Sequence, residues 1–342
     1  MEGFRVRGGA ERLGYIGARR ALERQVLSNY PWIESFLIHG RGLPPRRWQL
    51  LSWRGLLTVS ELALGLIESL FIICKFRPTV IIGMGGFTSF APVLWGILLR
   101  IPTVIHEVNV VPGLVNRLLA PWADLVTTAY PQTAGLLRAR RIATTGVPLR
   151  PELLEAAALS QEELRAELGL DLQKRTILVL GGSRGAAPLN RAIIRSRAER
   201  DNLQILLITG RGAVEQGGSG IIAHQYLDRL GEALAAADLV ISRAGAATLA
   251  ELTALGKPAV LIPWPGAAEN HQELNARFLE QAGGALVLPE GALEEVDLVE
   301  LAGRLLADQE RLSQLAARSR QLGRRDGLQR FLEEVERLLT LI

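Results

Sequence analysis

Cysteine, methionine and aromatic residues are scarce in this sequence. It has 342 residues, of which one is cysteine, two are methionine and 5% are aromatic. A single cysteine excludes a disulfide framework within the chain and is typical of a protein in a reducing compartment. Because Cys74 lies in an apolar stretch, we expect its thiol to be buried and unreactive.

Two common metal-binding patterns are also missing. No Asp-x-Asp triplet occurs, and the four histidines, His39, His106, His224 and His271, are never spaced as paired metal ligands. We therefore expect no structural metal and no metal cofactor.

One long apolar run is present, "GLLTVSELALGLIESLFIIC" at 55–74. Its length is close to that of a membrane-spanning helix. Two glutamates within it, Glu61 and Glu68, would each cost roughly 2.5–3.5 kcal/mol at the centre of a bilayer. We therefore expect a helix that is buried against a sheet or lies on a membrane surface, and not a membrane span.

Charge is unevenly distributed along the chain. Residues 1–150 hold 18 basic and 8 acidic side chains, a net charge of +10, whereas residues 151–342 hold 21 and 27, a net charge of −6. The difference is either ordinary scatter or the mark of a first half that faces an anionic surface. A membrane fits better than a nucleic acid, because no basic run with interleaved aromatic residues occurs. Trp53, Trp95 and Trp122 are candidate anchors at a membrane interface.

Short apolar runs alternate with glycine-containing turns and helical stretches, which is typical of βαβ units with parallel strands. The runs are too many for one doubly wound sheet, so we expect two domains of similar build. A boundary is expected near "TTGVPLRPEL" at 144–153. The predicted strands are Trp32–Ile38, Thr79–Ile82, Thr103–Ile105, Leu125–Thr128, Arg141–Thr144, Thr176–Leu180, Gln204–Ile208, Ile221–Gln225, Leu239–Ser242 and Ala259–Ile262.

Each half contains an apolar strand followed by glycines and a helix start, "TVIIGMGGFTSFAP" at 79–92 and "TILVLGGSRGAAP" at 176–188. Glycines there let a ligand approach the backbone, and a helix N-terminus attracts phosphate. Such turns are common in α/β folds, so each alone is equally consistent with a structural role. The first is not the dinucleotide fingerprint G-x-G-x-x-G, because Thr88 stands at its sixth position.

A third such turn follows the run 239–241. In "SRAGAATLAEL", Ser242–Leu252, small residues leave the helix start open. Backbone amides there and the Thr248 hydroxyl can contact a diphosphate. Glu251, farther along the helix, can accept two hydrogen bonds from a ribose diol. The segment favours a nucleoside diphosphate site, and an ordinary helix with a solvated glutamate is the alternative.

The next predicted strand is followed by "PWPGAAENHQELNA" at 263–276, which groups amide and imidazole side chains. These groups donate and accept hydrogen bonds in fixed directions, as recognition of sugar hydroxyls requires. Together with the two glycine-rich turns and Glu251, they indicate a nucleotide-sugar site in the second half. The side chains concerned are those of Asn270, His271, Gln272 and Asn275.

In its order of motifs the chain resembles the MurG family of glycosyltransferases. The motifs are "IGMGGFTSF", "HEVNVVPGLVN", "GVPLR", "LVLGGSRGA", "SRAGAATLAEL" and "AAENHQELNA". The resemblance implies a GT-B arrangement, in which two Rossmann-like α/β domains with parallel sheets face a cleft. It also implies inverting transfer of N-acetylglucosamine from UDP-N-acetylglucosamine to lipid I, the undecaprenyl-linked muramyl-pentapeptide, which forms lipid II. UDP-N-acetylglucosamine would be a co-substrate, and no cofactor is implied.

The resemblance also implies a location and a division of the chain. The family is peripheral to the cytoplasmic face of the plasma membrane, where it serves peptidoglycan synthesis, cell shape and cell division. An anionic membrane surface is therefore an implied partner, and nucleic acid is not. The implied domains are an acceptor- and membrane-facing domain at 1–147, a UDP-sugar domain at 148–325 and a C-terminal helix at 326–342 that packs back on the first domain.

Functional roles carry over motif by motif from the family to this sequence. Glu251 would bind the ribose diol, Arg150 would lie near the diphosphate, and the backbone of Leu227 would contact uracil. His271 and Gln272 would contact the sugar hydroxyls. The remaining implied donor-site residues are Ser183, Ala246, Ala247, Thr248, Leu249 and Ala250. On the acceptor side, the implied residues are Gly85, Gly86 and Asn109.

The start of the chain departs from the family pattern. The family opens with a strand, a G-G-x-G-G-H loop whose histidine is the favoured general base, and a helix. Here residues 1–13 precede the stretch that matches the family's second strand, and they contain no histidine. We therefore expect a missing first βα unit, an incomplete N-terminal sheet and weak transfer. His106 and Glu107 are the candidate substitutes for the base, unless His106 is a hydrogen-bonded core residue.

Two other functions stay open from the sequence. A related glycolipid synthase with another UDP-sugar would share the donor site and differ in its acceptor. A non-catalytic nucleotide-sugar-binding or scaffold protein would keep the second half and lack the base. A nicotinamide oxidoreductase is disfavoured, because the dinucleotide fingerprint is absent.

Overall fold

The computed structural model describes residues 12–19, 27–28, 30–40, 53–182, 186–196, 201–210 and 220–341. The chain divides into two compact units. Unit 1 comprises Met1–Pro148 and Asp326–Ile342, and unit 2 comprises Leu149–Arg325.

Twelve strands occur within the described residues, and every pairing between them is parallel. All the strands predicted from the apolar runs are present, with ends shifted by at most two residues. β1 lies where the resemblance places the family's second strand, and β12 was not predicted. The strands are β1 Gly14–Ala18, β2 Glu34–Ile38, β3 Ile81–Gly83, β4 Thr103–Glu107, β5 Leu125–Thr128, β6 Ile142–Thr144, β7 Arg175–Leu180, β8 Leu203–Ile208, β9 Ile221–His224, β10 Leu239–Ser242, β11 Ala259–Leu261 and β12 Leu286–Val287.

Helices connect the strands, as the alternating sequence pattern predicted. Short 3₁₀ helices at Ala268–Asn270 and Glu290–Glu294 accompany them. The α-helices are α1 Trp53–Phe76, α2 Phe87–Leu98, α3 Leu114–Leu119, α4 Pro131–Ala134, α5 Pro151–Ala156, α6 Gln161–Glu167, α7 Ala187–Arg195, α8 Leu230–Ala236, α9 Ala246–Leu255, α10 His271–Gln281, α11 Leu298–Ala307, α12 Gln309–Leu322 and α13 Gly327–Thr340.

The strands of unit 1 form two separate sheets. β1 pairs with β2, and the other four lie in the order β3-β4-β5-β6. No ladder joins the two sheets within the described part of the chain.

The larger sheet of unit 1 is covered on both faces. Apolar side chains of α2 and α3 pack on one face, with Val93 and Val115 buried there. On the other face, Phe331 and Val335 of α13 pack against Val104 and Leu125. An i, i+4 spacing places Phe331 and Val335 on one stripe of the helix, which explains why the C-terminal helix returns to this unit.

Unit 2 is a six-stranded sheet in the order β12-β11-β10-β7-β8-β9. Its central strands read as continuous apolar runs, because both faces are buried. One apolar cluster lies on the face of α8, α9 and α10, and a second lies on the face of α7 and α11.

Helix α1 is more exposed than a helix that simply covers a sheet. Leu57–Phe76 is long and apolar enough to cross a membrane by length and composition, and 22% of its most apolar window is buried. Ser69 and Ile73 form part of the buried side. The expectation of a buried Cys74 is wrong, because this residue is exposed to solvent.

Candidate functional site

The carboxyl edge of the unit 2 sheet has the geometry of a ligand site. β7 lies beside β10, yet the chain leaves β7 towards β8 and leaves β10 towards β11, in opposite directions. The loops after β7 and β10 therefore diverge, and open α/β sheets bind ligands at such a crevice. The loop after β7 contains Ser183, which lies outside the described residues.

The loop after β10 leads into an uncapped helix. Gly245 is the N-cap residue of α9, and no side chain caps the helix there. The amide groups of Ala246, Ala247 and Thr248 have no intrahelical acceptor, because no helical carbonyl precedes the first turn. The first turn also carries no acidic residue. These N–H groups and the positive end of the helix dipole suit an anion such as a diphosphate.

A buried arginine fixes the position of this loop. The Arg243 guanidinium donates to the carbonyls of Ile262 at 3.1 Å and Pro263 at 3.4 Å, and it forms an ion pair with Glu290. The loop after β10 is thereby held against the loop after β11. Sequence reasoning did not single out Arg243, although a charged residue between a buried strand and a glycine turn was a usable signal.

Glu251 lies in the second turn of α9, on the same face as Ala247 and Thr248. A separation of four helical residues places it about 6 Å along the axis from the first turn. That separation is comparable to the distance from a diphosphate to the hydroxyls of its ribose. One helix thus presents a phosphate-binding end and a carboxylate at the spacing that a nucleoside diphosphate requires.

The Glu251 carboxylate is mostly buried and pairs with Arg150. Its side chain is 14% exposed, and Oε1 lies 3.5 Å from Nη2 of Arg150, which is 54% exposed. Burial raises the pKa of Glu251, and the charge and hydrogen bond of Arg150 partly offset that rise. Arg150 can swing towards a bound anion, because most of its side chain is in solvent.

The leucine side chains among the other donor-site candidates pack in the core of unit 2. Leu249 is wholly buried, so only its backbone can serve a ligand, whereas Ala250 is half-buried. The side chain of Leu227 packs against the same apolar core as Leu249. The loop after β9 is therefore packed against the apolar core that α9 also covers.

The loop after β11 is held by the residues predicted to contact a sugar. Oε1 of Gln272 accepts from the backbone N–H of Trp264 at 3.0 Å, and Nδ1 of His271 lies 2.6 Å from the carbonyl of Ala268. Glu269 and Asn270 adopt left-handed backbone angles, with φ of 50° and 54°. Such strain costs about 1–3 kcal/mol per residue and occurs often at ligand sites.

On unit 1, the glycine turn after β3 opens the N-terminus of α2. Gly85 and Gly86 have φ of 85° and 80°, and Gly86 is the N-cap residue without a side-chain cap. A side chain at either position would strain the backbone. This turn therefore presents free amide groups at the carboxyl edge of β3.

His106 is a core residue, which is the alternative that the sequence left open. Its side chain is fully buried, its Nδ1 lies 2.8 Å from Oγ1 of Thr127, and its ring packs edge-on against Phe331 at 5.3 Å. Burial lowers the pKa of His106 to about 4. This geometry argues against His106 as a general base, because α13 closes its ring off from solvent.

Glu107 organises the loop that follows β4. Its two oxygens accept hydrogen bonds from Asn109 N at 2.8 Å, Asn109 Nδ2 at 3.1 Å, Gly113 N at 2.9 Å and Asn116 Nδ2 at 2.8 Å. The carboxylate is 2% exposed. Its acceptor capacity is used within the loop, so Glu107 is suited to placing Asn109 and less suited to taking a proton.

None of the His, Cys, Asp and Glu side chains of the described residues form a group of three or more that could hold an ion.

Two family profiles match the sequence, one in each half. The glycosyltransferase family 28 N-terminal domain matches residues 2–128, and the glycosyltransferase family 28 C-terminal domain matches residues 176–331.

Full-length relatives carry one shared name, UDP-N-acetylglucosamine–N-acetylmuramyl-(pentapeptide) pyrophosphoryl-undecaprenol N-acetylglucosamine transferase. The protein from Desulforamulus reducens is 37% identical over 95% of this chain and 90% of its own length. The one from Halothermothrix orenii is 38% identical over 94% and 90%, and the one from Bacillus subtilis is 33% identical over 95% and 90%.

Solved structures share the fold. The crystal structure of Acinetobacter baumannii MurG matches with a TM-score of 0.71 at 22% identity, over 98% of this chain and 93% of that one. CalG4, the calicheamicin glycosyltransferase, matches with a TM-score of 0.68 at 17% identity, over 99% and 93%.

Proposed function

This chain belongs to glycosyltransferase family 28 and, within it, to the MurG family. From that premise we propose that it transfers N-acetylglucosamine from UDP-N-acetylglucosamine to lipid I, which yields lipid II and UDP. The observation that carries the proposal is the pairing of the uncapped N-terminus of α9 with Glu251 on the same helix. Relatives of this length and similarity that bear the transferase name support it.

Unit 2 is proposed to bind the donor. The first-turn amides of α9, together with the Thr248 hydroxyl, would hold the diphosphate. Glu251 would accept hydrogen bonds from the two ribose hydroxyls, and Arg150 would then leave Glu251 for the phosphate oxygens. The loop after β11, held by His271 and Gln272, would contact the sugar, and the Leu227 backbone would contact uracil.

Unit 1 is proposed to bind the acceptor. The amides exposed by Gly85 and Gly86 at the start of α2 suit the acceptor diphosphate. Asn109, placed by Glu107, would line the same edge.

The reaction needs a nucleophile, a leaving group and a base. The acceptor hydroxyl attacks the anomeric carbon from the face opposite UDP, so the configuration inverts. Negative charge grows on the leaving diphosphate, where the N-terminus of α9 and Arg150 would stabilise it. A base removes the proton of the attacking hydroxyl.

We further propose that unit 1 attaches peripherally to the cytoplasmic membrane face. Leu64, Ile67 and Phe71 form an exposed apolar stripe on α1 and are 47%, 54% and 72% exposed. Trp122 is 60% exposed and suits an interfacial anchor. Trp95 does not, because its Nε1 donates to the Leu66 carbonyl and its ring packs in the core.

A membrane span by α1 is disfavoured for a specific reason. Glu68 is bonded to His39 and Arg19, so the helix is fixed to the ends of β1 and β2 through its own charge. The side chain of Trp53 lies outside the described residues. The net charge of +10 in 1–150 would add attraction to anionic lipids, at roughly 1 kcal/mol per basic residue near the surface.

A transfer assay tests the proposed function. The full chain is incubated with labelled UDP-N-acetylglucosamine and a lipid I analogue, and both products are measured. We expect labelled disaccharide product and UDP in equal amounts. Binding of UDP without transfer to the muramyl acceptor would favour the binding or scaffold alternative, and transfer of another sugar would favour a related glycolipid synthase.

A further inference from the structure

A carboxylate–imidazole pair lies where β2 ends in unit 1. His39 follows β2, and its Nδ1 is 2.9 Å from Oε1 of Glu68 in α1. The backbone N–H of His39 donates to Oε2 of the same carboxylate at 2.7 Å. Arg19, just after β1, donates to Oε1 of Glu68 at 2.7 Å and to the Leu37 carbonyl at 3.1 Å. Three groups therefore fix the carboxylate beside the ring.

The charge state of Glu68 sets the tautomer of His39. Burial alone would raise the pKa of Glu68, but the hydrogen bonds from His39 and the charge of Arg19 lower it below its usual value. An ionised carboxylate only accepts hydrogen bonds, so Nδ1 of His39 carries the hydrogen and Nε2 carries the lone pair. Within the described chain Nε2 has no hydrogen-bond partner, and the side chain is 35% exposed.

Local packing places this pair beside the proposed acceptor site. A Cβ added at Gly40 would lie 3.5 Å from Cγ2 of Thr88, in the first turn of α2. A Cβ added at Gly65 of α1 would lie 2.2 Å from the His39 carbonyl oxygen, so the helix packs directly on the His39 backbone. The residue after His39 thus lies beside the first turn of α2, whose N-terminus Gly85 and Gly86 open.

The other histidines are less suitable. The chain has four. His106 is sealed beneath α13, and His224 and His271 belong to unit 2, where the donor is proposed to bind. His39 combines partial exposure, an ionised partner and a place on the acceptor-binding unit.

We propose that His39 is the general base of the transfer and that Glu68 is its positioning residue, an inference that rests on the proposed function. As the acceptor oxygen bonds to the anomeric carbon, its proton moves to Nε2 of His39. The bond from that carbon to the UDP oxygen breaks, and UDP leaves with the electron pair. The imidazolium then releases its proton to solvent.

A purely structural role does not require the imidazole. The backbone N–H of His39 already joins β2 to Glu68, and Arg19 joins the same carboxylate to the end of β1. Both links survive when the ring is replaced. The ring adds only Nε2, which has no hydrogen-bond partner among the described residues and whose orientation the Glu68 carboxylate fixes. A general base needs this arrangement.

The test compares H39N with the unchanged full chain and with H224N. An asparagine at 39 retains a donor near the position of Nδ1 and removes Nε2, whereas His224 is exposed at the end of β9 and serves as the matched control. We expect H39N to lower kcat by about 10²–10⁴-fold with UDP affinity unchanged. H224N should keep the kcat of the unchanged chain. A kcat for H39N within about threefold of the unchanged chain, well below the effect of a general base, would overturn the proposal.

A second pair of variants separates chemistry from packing. In H39A, added imidazole should restore part of the lost kcat, because a small base can occupy the vacated space. The role of Nε2 would be contradicted by the following result. H39A folds but has a low kcat that imidazole does not raise, and H39N is active. Folding is followed by thermal unfolding in each case.

E68Q tests the positioning role through a pH profile. Glu68 from α1 and Arg19 after β1 are the charged groups that face His39, and α2 carries no ionisable side chain. Removing the negative charge should lower kcat and move the acidic limb of kcat/KM to lower pH. An unmoved limb would assign Glu68 to packing alone.

The outcomes for the base and for the function are distinguishable. If the unchanged chain transfers no sugar to lipid I analogue, the proposed function fails whatever the variants do. If it transfers sugar and H39N transfers it equally well, only the assignment of His39 fails.

Discussion

Replacing Glu251 should weaken UDP binding, because the carboxylate would no longer accept hydrogen bonds from the two hydroxyls of the ribose. The side chain is 14% exposed, lies on α9 beyond the first turn of that helix and has Arg150 as its charged neighbour at 3.5 Å. Hydrogen bonds to a charged group contribute about 1.5–3 kcal/mol net. We therefore expect E251A to raise the Kd for UDP by about 10- to 150-fold.

The assay is calorimetry on the full chain with UDP and with 2′-deoxy-UDP. The deoxy ligand lacks one of the two hydroxyls, so it should lose about half of that free energy against the unchanged chain. Against E251A both ligands should bind with the same affinity. E300A is the matched control, because Glu300 is an exposed helical glutamate of the same unit whose nearest cation is Arg304 at 3.1 Å.

The pH dependence gives an independent check with a defined sign. The ionised carboxylate is the form that accepts two hydrogen bonds, and burial raises the pKa of Glu251. UDP affinity should therefore begin to fall at a higher pH than an ordinary exposed glutamate would cause. E251Q should lack the decline in UDP affinity that protonation of Glu251 causes. Titration of the UDP phosphate affects both proteins equally, so it cancels when E251Q is compared with the unchanged chain.

Two results would refute the reasoning. The first is a Kd for UDP that is unchanged in E251A, which would remove Glu251 from the ribose role. The second is a preference for UDP over 2′-deoxy-UDP that persists in E251A, which would assign ribose recognition to another residue.

Three further predictions concern other parts of the molecule. R243M should destabilise unit 2 by about 1–3 kcal/mol in denaturant unfolding and weaken UDP binding, because the carbonyls of Ile262 and Pro263 lose their buried donor and the half-buried Glu290 loses its partner; unchanged stability would contradict the anchoring role. E107Q should lower stability by about 1–3 kcal/mol, since one amide oxygen cannot replace a carboxylate that accepts four hydrogen bonds; thermal unfolding measures this, and an unshifted midpoint would refute it. F71S should lower the partition constant for anionic vesicles by about tenfold in a pelleting assay, because burial of a phenylalanine contributes about 1.5–3 kcal/mol to binding. L172S, at an exposed leucine of unit 2, is the control, and equal pelleting of both variants would refute membrane contact by α1.

Much of the fold could be predicted because apolar periodicity is a local property. Central strands such as β7 and β10 are buried on both faces, so they read as unbroken apolar runs. β12 escaped prediction because it is two residues long, and β1 was expected only from the resemblance, because "GYIGA" has two glycines and little apolar surface. The exposure of α1 could not be predicted, since an apolar helix reads alike whether a sheet or solvent lies beside it.

The site was predicted less evenly. Glu251 and the glycine turn of α9 are close in sequence, so one segment revealed both. Pairs formed across long separations gave no sequence signal. His39 meets Glu68 only because α1 packs on the end of β2, and His106 is sealed only because α13 returns from the other end of the chain.

The most direct measurement of the central claim is the product balance of the unchanged full chain with labelled UDP-N-acetylglucosamine and a lipid I analogue. The account predicts one disaccharide-linked acceptor for each UDP released, with inverted configuration at the transferred sugar. UDP binding with no transfer to the acceptor, or release of UDP with free N-acetylglucosamine as the only sugar product, would contradict it.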